Sequence, residues 1–347
     1  MRRSVVKYAL AVLMLAAFAF AGCQRIPLYE RSTNVKLFID LDLSIDQVPQ
    51  LSFPTEFDKD YSVKIYGKIP QYVEALFYDA ETHRLVTSQI LPAEGGFVNV
   101  PVGDYSMVVY SFGTESTQVE GTGHMYEVEA FTTDITKQMA SKLSWVSVNT
   151  DSTRTDTRGY EDDCIIHEPD HLYVANEDLI SVPSFEDKAE AISIHTTAST
   201  IVEVYSLEVL GVKGTENIQE VEAFITGQIK SNYFGKQERN DTPATIYTDM
   251  RVDTQNGRLY SIFGTFGKQP GHENKIYLDI TVTDSGGGQY RYIFDVTDQF
   301  DDPTNTNNRL IIDATEIIDI PDAAHGGGGL APSVDPWENE NIEIPLG

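Results

Sequence analysis

Alternation with a period of two dominates the chain. In Val35-Lys-Leu37-Phe-Ile39-Asp-Leu41-Asp-Leu43 the odd positions are apolar and the even ones mostly charged, the pattern of a strand with one face in a core and the other in water. Segments of the same kind fall near 61–69, 72–78, 97–102, 105–112, 125–131 and 143–148. They recur near 190–195, 200–210, 245–252, 258–266, 275–283, 289–296 and 309–318. Tyr, Phe, Val, Ile and Thr fill them, as a pleated surface favours. Asn256-Gly257 reads as a type I′ hairpin turn, because both of its central residues tolerate positive φ. Asp284–Gly288 reads as a longer hairpin loop, and Gly95-Gly96 and Gly103-Asp104 mark turns in the first half. Helical turns are expected only within Thr133–Leu143 and Asn217–Phe224. Closely spaced strands with polar turns predict an all-β fold of antiparallel sandwiches.

Two breaks interrupt the pattern. Asn149–Gly159 is polar with no apolar face and reads as a long loop, and Pro183-Ser184-Phe185-Glu186-Asp187 is a second interruption. The strands beyond it form a full set of their own. The expected division is therefore an N-terminal β-sandwich over 35–185 and a C-terminal one over 186–347. Glycines at 326–329 make a joint before a terminal segment, Ile342-Glu-Ile344-Pro-Leu346, that alternates like a strand.

The N-terminus carries a different signal. Arg2, Arg3 and Lys7 precede an uncharged apolar run from Tyr8 to Ala21, too short for a stable membrane span and right for a secretory signal peptide. The run ends at Phe20-Ala21-Gly22-Cys23, with small residues directly before the cysteine, as a lipoprotein signal peptidase requires. Residues 1–22 are read as the signal peptide, Cys23 as the lipidated residue and 23–34 as a linker. More than one acyl chain on Cys23 gives stable anchoring, and no other cofactor is expected.

Charge narrows the partners. The 347-residue chain has a formal net charge of −28, and loss of Arg2, Arg3 and Lys7 with the signal peptide would bring it to −31. A field this negative repels nucleic acid and anionic headgroups. With Cys23 lipidated, Cys164 has no internal disulfide partner and reads as a small buried strand residue.

His167-Glu168-Pro169-Asp170-His171 spells the two-histidine zinc-hydrolase motif, which needs a helix to put both imidazoles on one face. Pro169 opposes that helix, and the flanks Cys164–Ile166 and Leu172–Val174 resemble strands, so a turn is preferred. Asp301–Asn308 lacks the ligand spacing of a calcium loop and reads as a surface loop. Asp40 and Asp42 fall on the water face of their strand. No nucleophile elbow, phosphate-binding glycine loop or dinucleotide fingerprint is present. Neither a catalytic site nor a metal site is expected.

Several segments together carry a family resemblance. Val73–Tyr78, then Val98-Asn-Val100-Pro101-Val102-Gly103-Asp104-Tyr105 running on to Tyr110, and Pro169–Val174 lie in the first half. Ala223–Gly227, Phe263–Gly267, Tyr292–Asp298 and Gly328–Glu338 follow in order in the second. In these the chain resembles the fimbrillin-like lipoproteins of Bacteroides-type bacteria, the group that includes minor and anchor subunits of type V fimbriae. The resemblance implies two transthyretin-like antiparallel β-sandwich domains in tandem and a lipid anchor in the outer membrane. It also implies a place in or near a surface fimbria. In pilins of that group one subunit donates a strand to a groove in its neighbour, which here makes Ile342, Ile344 and Leu346 the possible donor positions. An edge strand of the chain's own domain is the alternative for the same residues.

Arginine-directed maturation in the group makes Arg25 and Arg31 possible protease sites, with solvated linker residues as the alternative. Gln24-Arg25-Ile26-Pro27 lacks the acidic run of surface-exported members, which leaves the exposed membrane face open. The expected function is a non-enzymatic, lipid-anchored fimbrial anchor, accessory or tip subunit, or an adhesin, working through β-strand-mediated contact. Its partners would be fimbrial subunits or other surface proteins. The alternative is a glycan-binding surface lipoprotein of a nutrient-uptake system.

Overall fold

The computed structural model describes residues 33–41, 64–139, 164–183, 192–270, 275–305 and 307–322. These residues are almost entirely β. The first half holds β1 (Thr33–Leu41), β2 (Tyr72–Asp79), β3 (Leu85–Pro92), β4 (Gly95–Val100), β5 (Gly103–Ser111), β6 (Gln118–Glu120), β7 (Glu129–Phe131), β8 (Cys164–His167) and β9 (Tyr173–Val182). There follow β10 (Ile192–Thr200), β11 (Glu203–Leu210), β12 (Ile218–Ile229), β13 (Ser231–Tyr233), β14 (Glu238–Arg239) and β15 (Pro243–Asp249). The last are β16 (Arg251–Asp253), β17 (Arg258–Thr265), β18 (Tyr277–Asp284), β19 (Gln289–Asp295) and β20 (Arg309–Asp313). Two short helices, α1 (Thr136–Met139) and α2 (Thr297–Asp301), accompany them, with a helical turn at 64–66 and two 3-10 turns.

Four sheets result. A seven-stranded sheet runs β3-β2-β5-β9-β10-β1-β4, and its two end strands lie against each other where Leu91 meets Gly96. The sheet thus curls around its own core of Val73, Phe77, Val98, Met107, Val109 and Tyr173. The later strands, joined by β8 of the first half, make a sandwich of β16-β17-β11-β20 on β19-β18-β12-β15-β8. Alternate residues of β11, β12, β17 and β18, among them Leu207, Ala223, Phe263 and Ile280, fill the space between. A small sheet, β14-β13-β7-β6, covers the other face of β2 and β5. There Leu76, Tyr78 and Val108 meet Val128, Ala130, Phe234 and Phe266. β2 is therefore buried on both faces, which explains its near-continuous apolar run.

The boundary expected at 185 falls between β9 and β10, and strands from its two sides share sheets. β10 pairs with β9 and β1, β8 pairs with β15, and β13 pairs with β7. The ladders are antiparallel apart from β1–β10, β11–β20 and β8–β15, which are parallel.

Five local expectations need correction. Of the segments expected as strands, the described part of 61–69 holds a helical turn at 64–66, and 125–131 opens with a 3-10 turn at Met125–Glu127 before β7. Asn217–Phe224 is not helical: a 3-10 turn at Thr215–Asn217 leads into β12, because Val221, Ala223 and Ile225 alternate into the sandwich core. Asn256-Gly257 is not a two-residue I′ turn. The last ladder pair is Asp253–Arg258, so the turn has four residues, and of these only Gly257 has positive φ, at 61°. The Asp253 carboxylate holds it by accepting the backbone N–H groups of Gln255 and Asn256. Cys164 lies in a strand but is half-buried rather than buried.

Candidate functional site

An end strand of a sheet presents unused backbone donors and acceptors, so where the sheets end decides where another strand could dock. The edge of β20 is closed at Ile311, whose N–H is taken by the Gln299 side-chain carbonyl at 2.8 Å and whose C=O accepts from the same amide at 2.9 Å. Segment 132–136 covers β8: Ile135 N–H donates to Ile165 O and His167 N–H to Thr133 O.

The edge at β3 differs. It pairs with β2 on one side, with Glu74 opposite Ile90 and Leu76 opposite Ser88, and a bulge near Tyr78 re-aims its start. Its outer side is met at Leu85, whose N–H donates to Gly123 O at 3.1 Å. From Val86 onward no other strand pairs with it among the described residues. Only Leu91 is buried; Val86 is 42 % and Ile90 58 % exposed.

Ile90 does not stand alone. The register places Glu74 between Ile90 and Tyr110, and the next row pairs Tyr72 with Phe112, whose N–H donates to Tyr72 O at 2.9 Å. Tyr72 and Phe112 are both exposed. The Phe112 ring lies 5.5 Å from Tyr110, which in turn lies 5.8 Å from Phe234 in the core. Burial and then the hydrogen bond to the Glu74 carboxylate raise the Tyr110 hydroxyl far above the ordinary phenol range, so it stays a neutral donor. The edge thus combines a backbone template with an apolar strip of Ile90, Tyr72 and Phe112, the two parts that strand addition uses for affinity and side-chain selection.

The residues singled out in the sequence go elsewhere. Cys23, Arg25, Arg31, Ile342, Ile344 and Leu346 lie outside the described residues. His167 ends β8 and is exposed, whereas His171 is buried, and no helix joins them. The His171 ring donates from Nε2 to Lys64 O at 3.0 Å, and its Nδ1 accepts from the Thr200 hydroxyl at 2.9 Å. Burial holds this imidazole below its ordinary pKa. Glu168 accepts from Lys64 Nζ at 2.7 Å and from the Thr248 hydroxyl at 3.0 Å, tying the first half to β15. The zinc-like motif is a turn whose polar side chains fasten the sheets together. In Asp301–Asn308, Asp302 accepts from Thr304, and Asn308 donates to Val204 O at 3.1 Å, which makes a braced surface loop.

Asp170 does the same work with charge. It accepts from Ser116 N at 3.1 Å, Ser116 Oγ at 2.8 Å and Thr117 N at 2.7 Å. Burial pushes its carboxyl up, but these bonds together with that from Glu115 N–H outweigh it and hold the group below the ordinary carboxylate value. A lowered folded pKa contributes stability above the unfolded value of about 3.9, lost as pH falls through the folded one. Asp170→Asn is expected to lose about 1–3 kcal/mol at pH 7 and to flatten the acid limb of the stability curve. Urea denaturation at pH 7 and pH 3 checks both; an equal loss at the two pH values would contradict it.

Known proteins resemble this chain over much or nearly all of its length. A family profile described as a domain of unknown function, DUF5119, matches residues 57–249. A candidate fimbrium anchoring subunit of Bacteroides ovatus, Fim4B, is 22 % identical, with 98 % of each chain covered. The crystal structure of a candidate adhesin from Bacteroides ovatus superposes with a TM-score of 0.55 at 20 % identity, over 84 % of this chain and 97 % of that one. The fimbrial anchor protein Mfa2 from Porphyromonas gingivalis aligns with a TM-score of 0.45 at 13 % identity, over 80 % of this chain and 90 % of its own.

Proposed function

The chain belongs to the DUF5119 family, and from that starting point we propose that it is a non-enzymatic, lipid-anchored subunit that fastens or completes a fimbria through strand pairing. The geometry that carries this reading is β3, an eight-residue end strand that exposes Val86 near its start and Ile90 beside Tyr72 and Phe112 near its end. The end-to-end likeness to a protein bearing the name of a fimbrium anchoring subunit supports the same assignment. Cys23 would hold the chain in the outer membrane, and Ile342, Ile344 and Leu346 would offer a strand in return. The order of the chain bears on maturation. Arg25 and Arg31 both precede Thr33, where β1 begins, so a cut after either would free the protein from lipid and leave β1 in the sheet.

The test mixes the full chain with recombinant fimbrial subunits of Bacteroides ovatus and assays for a complex that survives mild detergent. Ile90→Lys places a charge where a docking strand would lie, as natural edges do to repel pairing. It is expected to weaken the complex at least ~10-fold and to change the folded stability by no more than about 0.5 kcal/mol. Deletion of 340–347 separates reception from donation: loss of the complex on deletion alone would move the contact from β3 to the tail. No complex with any subunit would sink the fimbrial reading.

A further inference from the structure

Asn256-Gly257 is the one Asn-Gly pair in the chain, and it lies in the four-residue turn between β16 and β17. A carboxamide followed by glycine is prone to an internal reaction, because the next backbone nitrogen reaches the side-chain carbon with no Cβ in its way. The surroundings leave that path open. Asn256 is exposed, and Gly257 has φ +61°. The Gly257 carbonyl accepts from Val212 N–H at 2.9 Å, while no group among the described residues accepts from the Gly257 N–H.

The same amide is connected to the interior. Asn256 Nδ2 donates to Asp253 Oδ2 at 2.7 Å, and that carboxylate oxygen also accepts from Arg258 Nε at 2.8 Å. Asp253 is 8 % exposed and Arg258 6 %. Arg258 in turn donates from Nη1 to Glu208 at 3.1 Å. A water-exposed side chain thus stands one hydrogen bond away from a buried ion cluster.

We propose that Asn256 is a self-modifying position, converted to aspartate and isoaspartate, and that the product loosens the buried cluster behind it. The Gly257 nitrogen gives up its proton and bonds to Asn256 Cγ. The Cγ–Nδ2 bond then breaks, and ammonia leaves with that proton. Water opens the resulting ring at one carbonyl or the other. The net change is amide plus water to acid plus ammonia, with nothing oxidised or reduced. Aspartate replaces the donor Nδ2 with a charged oxygen facing Asp253, which turns an attraction into a repulsion of like charges. Isoaspartate threads Cβ into the main chain and lengthens a turn that Gly257 O ties to Val212. Both products set a second carboxylate beside the one that holds Arg258.

The full chain, incubated at pH 7 and pH 9, is digested and its asparagine peptides followed by mass spectrometry, with an isoaspartyl methyltransferase marking the rearranged product. Conversion at Asn256 is expected to run at least ~10-fold faster than at Asn99, an exposed asparagine followed by the bulkier Val100. It should be faster at pH 9, because the attacking nitrogen must lose its proton. Thermal melts read the consequence. Asn256→Asp should melt below Asn256→Ser at pH 7, since both lose the amide but only one gains a charge. The gap should close at pH 3, where the carboxylates are protonated. Conversion no faster than at Asn99 would overturn the proposal, and so would an Asn256→Asp melt at or above that of Asn256→Ser at pH 7.

Discussion

Glu208→Ala is expected to lower the unfolding free energy by about 3–5 kcal/mol, since removing one partner of a buried ion pair leaves the other's charge uncompensated. Glu208 lies on β11 with its side chain 1 % exposed. It accepts from Arg258 Nη1 at 3.1 Å and from Arg309 Nε at 2.9 Å and Nη2 at 2.8 Å. Arg258 is itself buried and also donates from Nε to Asp253 at 2.8 Å. Without Glu208, Arg309 can turn toward water, but Arg258 stays inside with one carboxylate fewer. The double variant Glu208→Leu with Arg258→Met should recover much of the loss, because it removes the stranded charge together with its partner. Guanidinium denaturation of the single and double variants measures both. A single-variant loss below about 1 kcal/mol would mean that the cluster is hydrated rather than dry.

The second large effect concerns Phe234→Ala, expected to cost about 3–5 kcal/mol. Phe234 is 1 % exposed and follows β13 into the core against Leu76, Tyr78, Val108 and Tyr110 of the seven-stranded sheet. Its carbonyl also accepts from Asn176 Nδ2 at 2.9 Å. Ile229, Phe266 and Val202 come to the same cluster from the later strands. A cavity there weakens the junction between strands from either side of residue 185, so calorimetry should show the heat-unfolding transition both lowered and broadened. A shift confined to one of two already separate transitions would mean that the halves unfold independently.

The strands with strong alternation were legible. β5, β17, β18 and β19 form where Val, Ile, Tyr and Phe alternate between turn residues, and the Asp284–Gly288 loop closes its hairpin as expected, with Gly286 and Gly288 N–H donating to the Asp284 carboxylate. β12 was hidden because Gln219, Glu220, Glu222 and Ala223 favour a helix locally, and only packing against β18 decides otherwise. β3 was hidden for the opposite reason: Thr87-Ser88-Gln89 gives no alternation, since one residue, Leu91, carries its burial. α2 is a single turn with no buried residue and hence no periodic signal. The candidate edge depends on pairings between distant segments. Phe234 reaches Tyr110 only because β13 adds to β7 across the expected boundary, which no local pattern records.

The placement of β1 has a mechanical consequence. It lies between β10 and β4, parallel to one and antiparallel to the other, and β4 has no second ladder partner among the described residues. A pull arriving from the residues upstream of Thr33 runs along this strand, across the direction of its ladder bonds. Both ladders then resist in shear, their bonds strained together instead of being peeled one after another. A tether at the N-terminal side would thus load the fold where two rows of backbone bonds share the force, and failure there would release β4 in the same step.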